Sequence, residues 1–204
     1  MKPLSSLQRY AVCYLIVITL AAAAYGRNTI WRGDFTLWRD VVFKSGAKAR
    51  AYYNMGAAYH DEKGFLDKAI ENYKIALSVE PNHPGIHNDL GDALRDSGML
   101  EEAIKEYETA VRLMPFYPKT HNNLGVAYLK MGNLQKAVFE FRLAIGQMPG
   151  HPEPYYNMAL ALKDAGKKEE AKIYFKKFIK TASPEYKGMI IEAETNLQEL
   201  PKNR

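Results

Sequence analysis

The sequence predicts an all-α solenoid of four tandem helix-turn-helix repeats with capping helices, preceded by one apolar membrane helix. Three observations predict it. A 34-residue self-similarity runs through residues 49–185, glycines and prolines punctuate it at fixed intervals, and a 17-residue uncharged run lies near the N-terminus. The 204 residues are 47% apolar, too hydrophobic for a disordered chain.

The uncharged run is Tyr10 to Gly26, bounded by Arg9 and Arg27. Seventeen helical residues span roughly 25 Å, close to a hydrocarbon core of about 30 Å. Tyr10, Tyr14 and Tyr25 suit the membrane interface. A single-pass anchor over 1–26 is the leading reading. A cleaved signal peptide ending near Ala22-Ala23-Ala24 and a buried core helix remain alternatives. Counting basic residues on the two flanks favours a cytoplasmic C-terminal side, whereas a signal-anchor reading favours the opposite. The single cysteine, Cys13, lies inside the run, so no intrachain disulfide forms.

Residues 27–48 form a junction. Asp34 to Lys44 aligns with a second repeat helix lacking its partner, with Trp38 and Val41 at its packing positions. It is expected to cap the open face of the first repeat.

The repeats are 49–83, 84–117, 118–151 and 152–185, with one extra residue in the first near Lys63-Gly64. Each is numbered here from 1 to 34. Position 4 holds Tyr52, His87, His121 and Tyr155; position 8 holds Gly56, Gly91, Gly125 and Ala159. Position 20 is Ala69, Ala103, Ala137 and Ala171; position 24 is Tyr73, Tyr107, Phe141 and Phe175. Positions 4, 7, 8 and 11 share one face of a first helix, and 20, 24 and 27 one face of a second. Small residues at 8 and 20 allow close approach, and the large ones fill the space beside them. Gly64, Gly98, Gly132 and Gly166 end each first helix at a residue tolerant of positive φ. Pro81, Pro115 and Pro149 stop the second helices. After Ser183, the stripe Met189, Ile190, Ala193, Leu197 and Leu200 predicts a C-terminal capping helix over 184–200.

These signature positions resemble the tetratricopeptide repeat family across 49–185, and the resemblance implies a right-handed superhelix that binds proteins. Repeat four departs at Ala159, Phe178 and Ser183, as a terminal repeat does. A second resemblance, carried by Arg27, Asn28, Trp31, Leu37, Trp38 and Asp40, is to the junction of multi-pass glycosyltransferase-like membrane proteins of the protein O-mannosyltransferase-related type. That resemblance implies repeats outside the cytoplasm, in the periplasm.

Charge and motifs narrow the function classes. The whole net charge of +5 falls in residues 1–48, and the repeats are neutral. A nucleic-acid interface needs a basic stripe, so none is expected. No phosphate loop, G-x-S-x-G elbow or HExxH is present, so no enzyme, cofactor or small-molecule substrate is expected. His83 and His87 have zinc-like spacing, but Pro84 separates them at a repeat boundary. The lysines of repeat four and the cap, among them Lys176, Lys177 and Lys180, suit either an anionic surface or a solvated end.

The informative polar set is position 6: Asn54, Asp89, Asn123 and Asn157, with Arg50 and Lys119 at position 2. An asparagine offers both a donor and an acceptor to a peptide backbone. The row resembles the asparagine ladder of some tetratricopeptide proteins, which implies an extended peptide held in the concave groove. The alternative is that these asparagines cap or bridge repeats. A carboxylate clamp is incomplete, because Tyr53 and Ala57 occupy positions 5 and 9 of repeat one and Asn123 stands where a second basic residue is required. The expected function is a membrane-anchored interaction scaffold; the alternative is the acceptor-presenting tail of a glycosyltransferase-like membrane protein.

Overall fold

The computed structural model describes residues 48–62 and 64–200. The expected membrane helix (residues 10–26) and the N-terminal capping half-repeat lie outside the described residues. Among those described, no helix is long and apolar enough to cross a membrane.

Eight helices pair into four hairpins. They are α1 (Ala49–Asp61) with α2 (Leu66–Val79), α3 (Pro84–Asp96) with α4 (Leu100–Leu113), α5 (Pro118–Lys130) with α6 (Leu134–Gln147), and α7 (Glu153–Asp164) with α8 (Lys168–Thr181). Among the described residues there is no strand. Each first helix packs on its own second helix, and each second helix on the next first helix.

The local signals explain the boundaries. Pro84 and Pro118 occupy first-turn positions, where a missing N–H costs nothing. His83 caps α3 by accepting the Ile86 amide on Nδ1 at 3.2 Å, and Asn133 caps α6 by accepting the Lys136 amide. The first helices close with paired bonds: the Gly98 amide donates to the Arg95 carbonyl and the Met99 amide to the Leu94 carbonyl. Residues 128–133 and 162–167 repeat this arrangement. It requires a left-handed residue, and Gly98, Gly132 and Gly166 supply φ of 84°, 75° and 73°.

Within the first three hairpins the position-8 glycine lies under the position-24 ring. A Cβ built on Gly125 would stand 2.6 Å from the Phe141 ring, and one on Gly91 2.7 Å from Tyr107. The rings and the position-20 alanines are fully buried. The extra residue of repeat one sits in the turn between α1 and α2 and leaves the packing intact: Gly56 meets Tyr73 at the same distance.

The C-terminal end is closed by a 3-10 turn at Pro184–Tyr186 and α9 (Lys187–Glu199). The α-helix thus starts three residues after Pro184, because the Tyr186 amide bonds three residues back to Ser183. Ala193, Asn196 and Leu200 are buried here, whereas Met189, Ile190 and Leu197 are half-buried. Phe178 replaces the usual alanine and fills the end, meeting Tyr156 at 5.0 Å and Tyr186 edge-on at 6.3 Å.

Candidate functional site: the inner face of the first helices

The first helices of successive repeats touch one another, α1 on α3, α3 on α5 and α5 on α7. No second-helix pair packs as closely among the described residues. The array therefore curves with the first helices inside, and positions 2, 5, 6, 9 and 12 face inward.

The centre of this face is filled by a polar network across repeats one to three. Asp92, at position 9, accepts Tyr107 Oη at 2.6 Å, Arg95 at 2.9 Å and the Asn123 amide at 3.0 Å. Asn88, at position 5 and fully buried, accepts the Thr120 hydroxyl at 3.0 Å and the Asn123 amide at 3.3 Å. Asp89 accepts Tyr53 Oη at 2.6 Å and Lys119 Nζ at 3.4 Å. Further along, His60 meets Asp96 at 3.1 Å.

Protonation follows the geometry. Burial raises the Asp92 carboxyl above its usual range against the pull of Arg95 and Tyr107. Burial lowers the Lys119 ammonium, but Asp89 and Asp92 outweigh it and leave it raised. Burial, reinforced by its bond to Asp89, pushes the Tyr53 phenol up. The charges at the centre thus compensate one another.

Of the six residues singled out in the sequence, four are engaged within the fold. Asn123 is buried and donates to Asn88 and Asp92; Asn157 donates to Asn122 Oδ1 at 2.9 Å; Asp89 and Lys119 pair across repeats. The asparagine amides therefore bridge adjacent repeats rather than forming a free row. Arg50 and Asn54 differ: neither has a side-chain hydrogen bond or ion pair among the described residues. They line a cleft of about 320 Å³ at the repeat-one end, with Tyr53, Glu80, His83 and Ile86. Asn88, Asp92 and Arg95 were not singled out. The available signal was Asp92, the one charged residue at position 9.

No cluster of metal-ligating residues occurs among the described residues. His83 is committed to its helix cap. His87 and His121 each bridge a glutamate of the paired helix and the carbonyl of the proline that ends the preceding repeat, Pro81 or Pro115.

Comparison with known proteins agrees with this architecture. Family models described as "Tetratricopeptide repeat" match residues 49–83, 118–149 and 152–183, and one described as "TPR repeat" matches 91–132, together more than half of the chain. The chain belongs to the tetratricopeptide repeat family. Among curated relatives, protein O-mannosyl-transferase TMTC3 of Mus musculus is 29% identical over 77 residues, 38% of this chain and 8% of that protein. Protein O-mannosyl-transferase TMTC1 of Homo sapiens is 31% identical over 97 residues, 45% of this chain and 11% of that protein. The matches thus span about a tenth of those relatives' length. Among solved structures, MamA superimposes with a TM-score of 0.67 at 25% identity, covering 76% of this chain and 92% of that one. TTC0263, a thermophilic repeat protein of Thermus thermophilus, gives 0.69 at 22% identity, covering 89% and 96%.

Proposed function

We propose that this chain is a membrane-tethered scaffold that holds an extended protein segment against its inner face, entering at the repeat-one end. The observation that carries the reading is the cleft at Arg50 and Asn54. Among the described residues its guanidinium donors and its amide donor and acceptor are unspent, while the position-6 side chains of repeats two to four, Asp89, Asn123 and Asn157, each make a cross-repeat bond. Arg50 suits a backbone carbonyl or a carboxylate, Asn54 suits both groups of a peptide unit, and Ile86 gives an apolar floor. Recognition by backbone groups tolerates many sequences. No catalytic step is part of this reading, and the uncharged run at residues 10–26 supports the tether.

The similarity to O-mannosyl-transferase relatives and the junction residues Arg27 to Asp40 favour a second reading. In it the repeats present an acceptor protein to a membrane enzyme, on the extracytoplasmic side. Both readings use the same cleft.

The test is selection of a displayed random peptide library on detergent-solubilised full-length protein, followed by titration of the recovered peptides. Arg50→Ala/Asn54→Ala should weaken binding by about 1–3 kcal/mol, on the order of one hydrogen bond per site. Equal affinity for wild type and the double variant overturns the cleft as the entry point.

A further inference from the structure

Of the ten exposed large apolar side chains among the described residues, five fall on one edge, two on the opposite edge, and Phe139, Ile173 and Ile191 on the outer faces of α6, α8 and α9. Val79, Leu113, Met114, Phe116 and Met148 all lie at positions 30–33, in or beside the loops that join one repeat to the next. Phe116 is 85% exposed. Connecting loops facing water are ordinarily polar. The opposite edge, formed by the turns within repeats, shows only Phe65 and Met131 among the exposed large apolar residues.

The chain enters the described solenoid on that same apolar edge. Lys48 precedes α1 as Tyr117 precedes α5: the Lys48 carbonyl accepts the Ala51 and Tyr52 amides, and the Tyr117 carbonyl the Thr120 and His121 amides. Lys48 thus stands where the inter-repeat loops stand. Only 21 residues separate it from the uncharged run ending at Gly26. Fully extended they reach ~70 Å, and much less if helical. Lys48 and Arg112 are exposed near this edge, as are Lys180 and Lys187 at its C-terminal end, against the exposed acids Glu80 and Glu185.

We infer that the inter-repeat edge is a lipid-facing surface, seated on the membrane interface with Phe116 as its deepest contact. The partner of this edge is a lipid bilayer surface, with a preference for anionic headgroups matched to the cations. The short link to the uncharged run and the cations of this edge favour a bilayer surface over a protein. The solenoid then lies along the membrane, and the repeat-one cleft opens at a fixed height above it. The inference rests on the tether proposed above.

The test uses full-length protein reconstituted into phosphatidylcholine vesicles with and without phosphatidylglycerol. A fluorophore is placed at Cys13 in the wild type, and at Phe116→Cys, Met148→Cys or Met131→Cys in a Cys13→Ser background. Circular dichroism confirms folding of each variant. Lipid-borne nitroxides should quench positions 116 and 148 at least two-fold more than position 131, more strongly with anionic lipid. A probe at Cys13 that is quenched while 116 and 131 are equally unquenched overturns the lipid-facing edge and leaves the tether standing. Protein that fails to float with vesicles overturns the tether and this inference with it. A probe at 116 shielded from water but not quenched by lipid shows the edge covered by protein, which also overturns the inference.

Discussion

Nδ1 of His121 lies 2.7 Å from Oε2 of Glu140, while Nε2 of the same ring lies 2.9 Å from the Pro115 carbonyl oxygen. A carbonyl only accepts, so Nε2 carries a proton. An ionised carboxylate also only accepts, so Nδ1 is held protonated as well. His87 repeats the arrangement with Glu106 at 2.6 Å and the Pro81 carbonyl at 2.9 Å. Each ring fastens a first helix to both its second helix and the preceding repeat.

Stability should fall as pH rises above neutrality. For His121, burial lowers the pKa, but Glu140 and the Pro115 carbonyl outweigh it; for His87 the bond to Glu106 is the largest cause, opposed by burial and Arg112. Both therefore titrate above the ordinary value of 6.5. A raised folded pKa gives stabilisation that is complete below the unfolded pKa and is lost as pH rises through the folded one. Repeat four carries Tyr155 at the same position, and its hydroxyl donates to the Pro149 carbonyl at 3.0 Å. Chemical denaturation from pH 6 to 9 should show this decline, and His87→Tyr/His121→Tyr should flatten it.

Gly125→Ala should destabilise the fold by about 1–3 kcal/mol through overpacking, because its Cβ would stand 2.6 Å from the Phe141 ring. Gly146→Ala is the control. A Cβ there meets nothing within 4 Å, and the change should stabilise α6 by up to about 1 kcal/mol. Urea unfolding of both variants checks the register of the third hairpin.

Asn123→Ala should cost about 1–3 kcal/mol, because it strips bonds from the buried Asn88 and half-buried Asp92 side chains. Asn54→Ala, lacking any such bond, should leave stability within about 0.5 kcal/mol while weakening peptide binding. Parallel melting and titration separate the two roles of chemically identical side chains.

Phe178→Ala should destabilise by about 3–5 kcal/mol, since the ring is fully buried between Tyr156 and Tyr186 at the closed end. Restoring the alanine of the other three repeats is thus harmful here. Calorimetry should show the loss.

The hairpins were legible because their determinants are local and recur. The spacing of Gly91 and Tyr107 encodes a contact that the helix period makes unavoidable, and three copies of it leave no competing register. The division of the inner face was not legible. Asn54 and Asn123 share a residue type and a repeat position, and only their neighbours separate them. Asn123 finds Asp92 and Asn88 on the preceding repeat. Asn54 has no described repeat before it. Such bonds join residues 31–35 apart in sequence, and helical periodicity within one repeat carries no information about them.

The turn between α1 and α2 holds one residue more than its counterparts, yet α1 and α2 have 13 and 14 residues, as α3 and α4 do. A miscount introduced at that corner is erased before the next rung is laid. The molecule therefore behaves like a ladder whose spacing is reset at every step. Insertions at the corners leave the positions of distant rungs unchanged, and whole rungs can be added to or removed from such a design without re-deriving the rest.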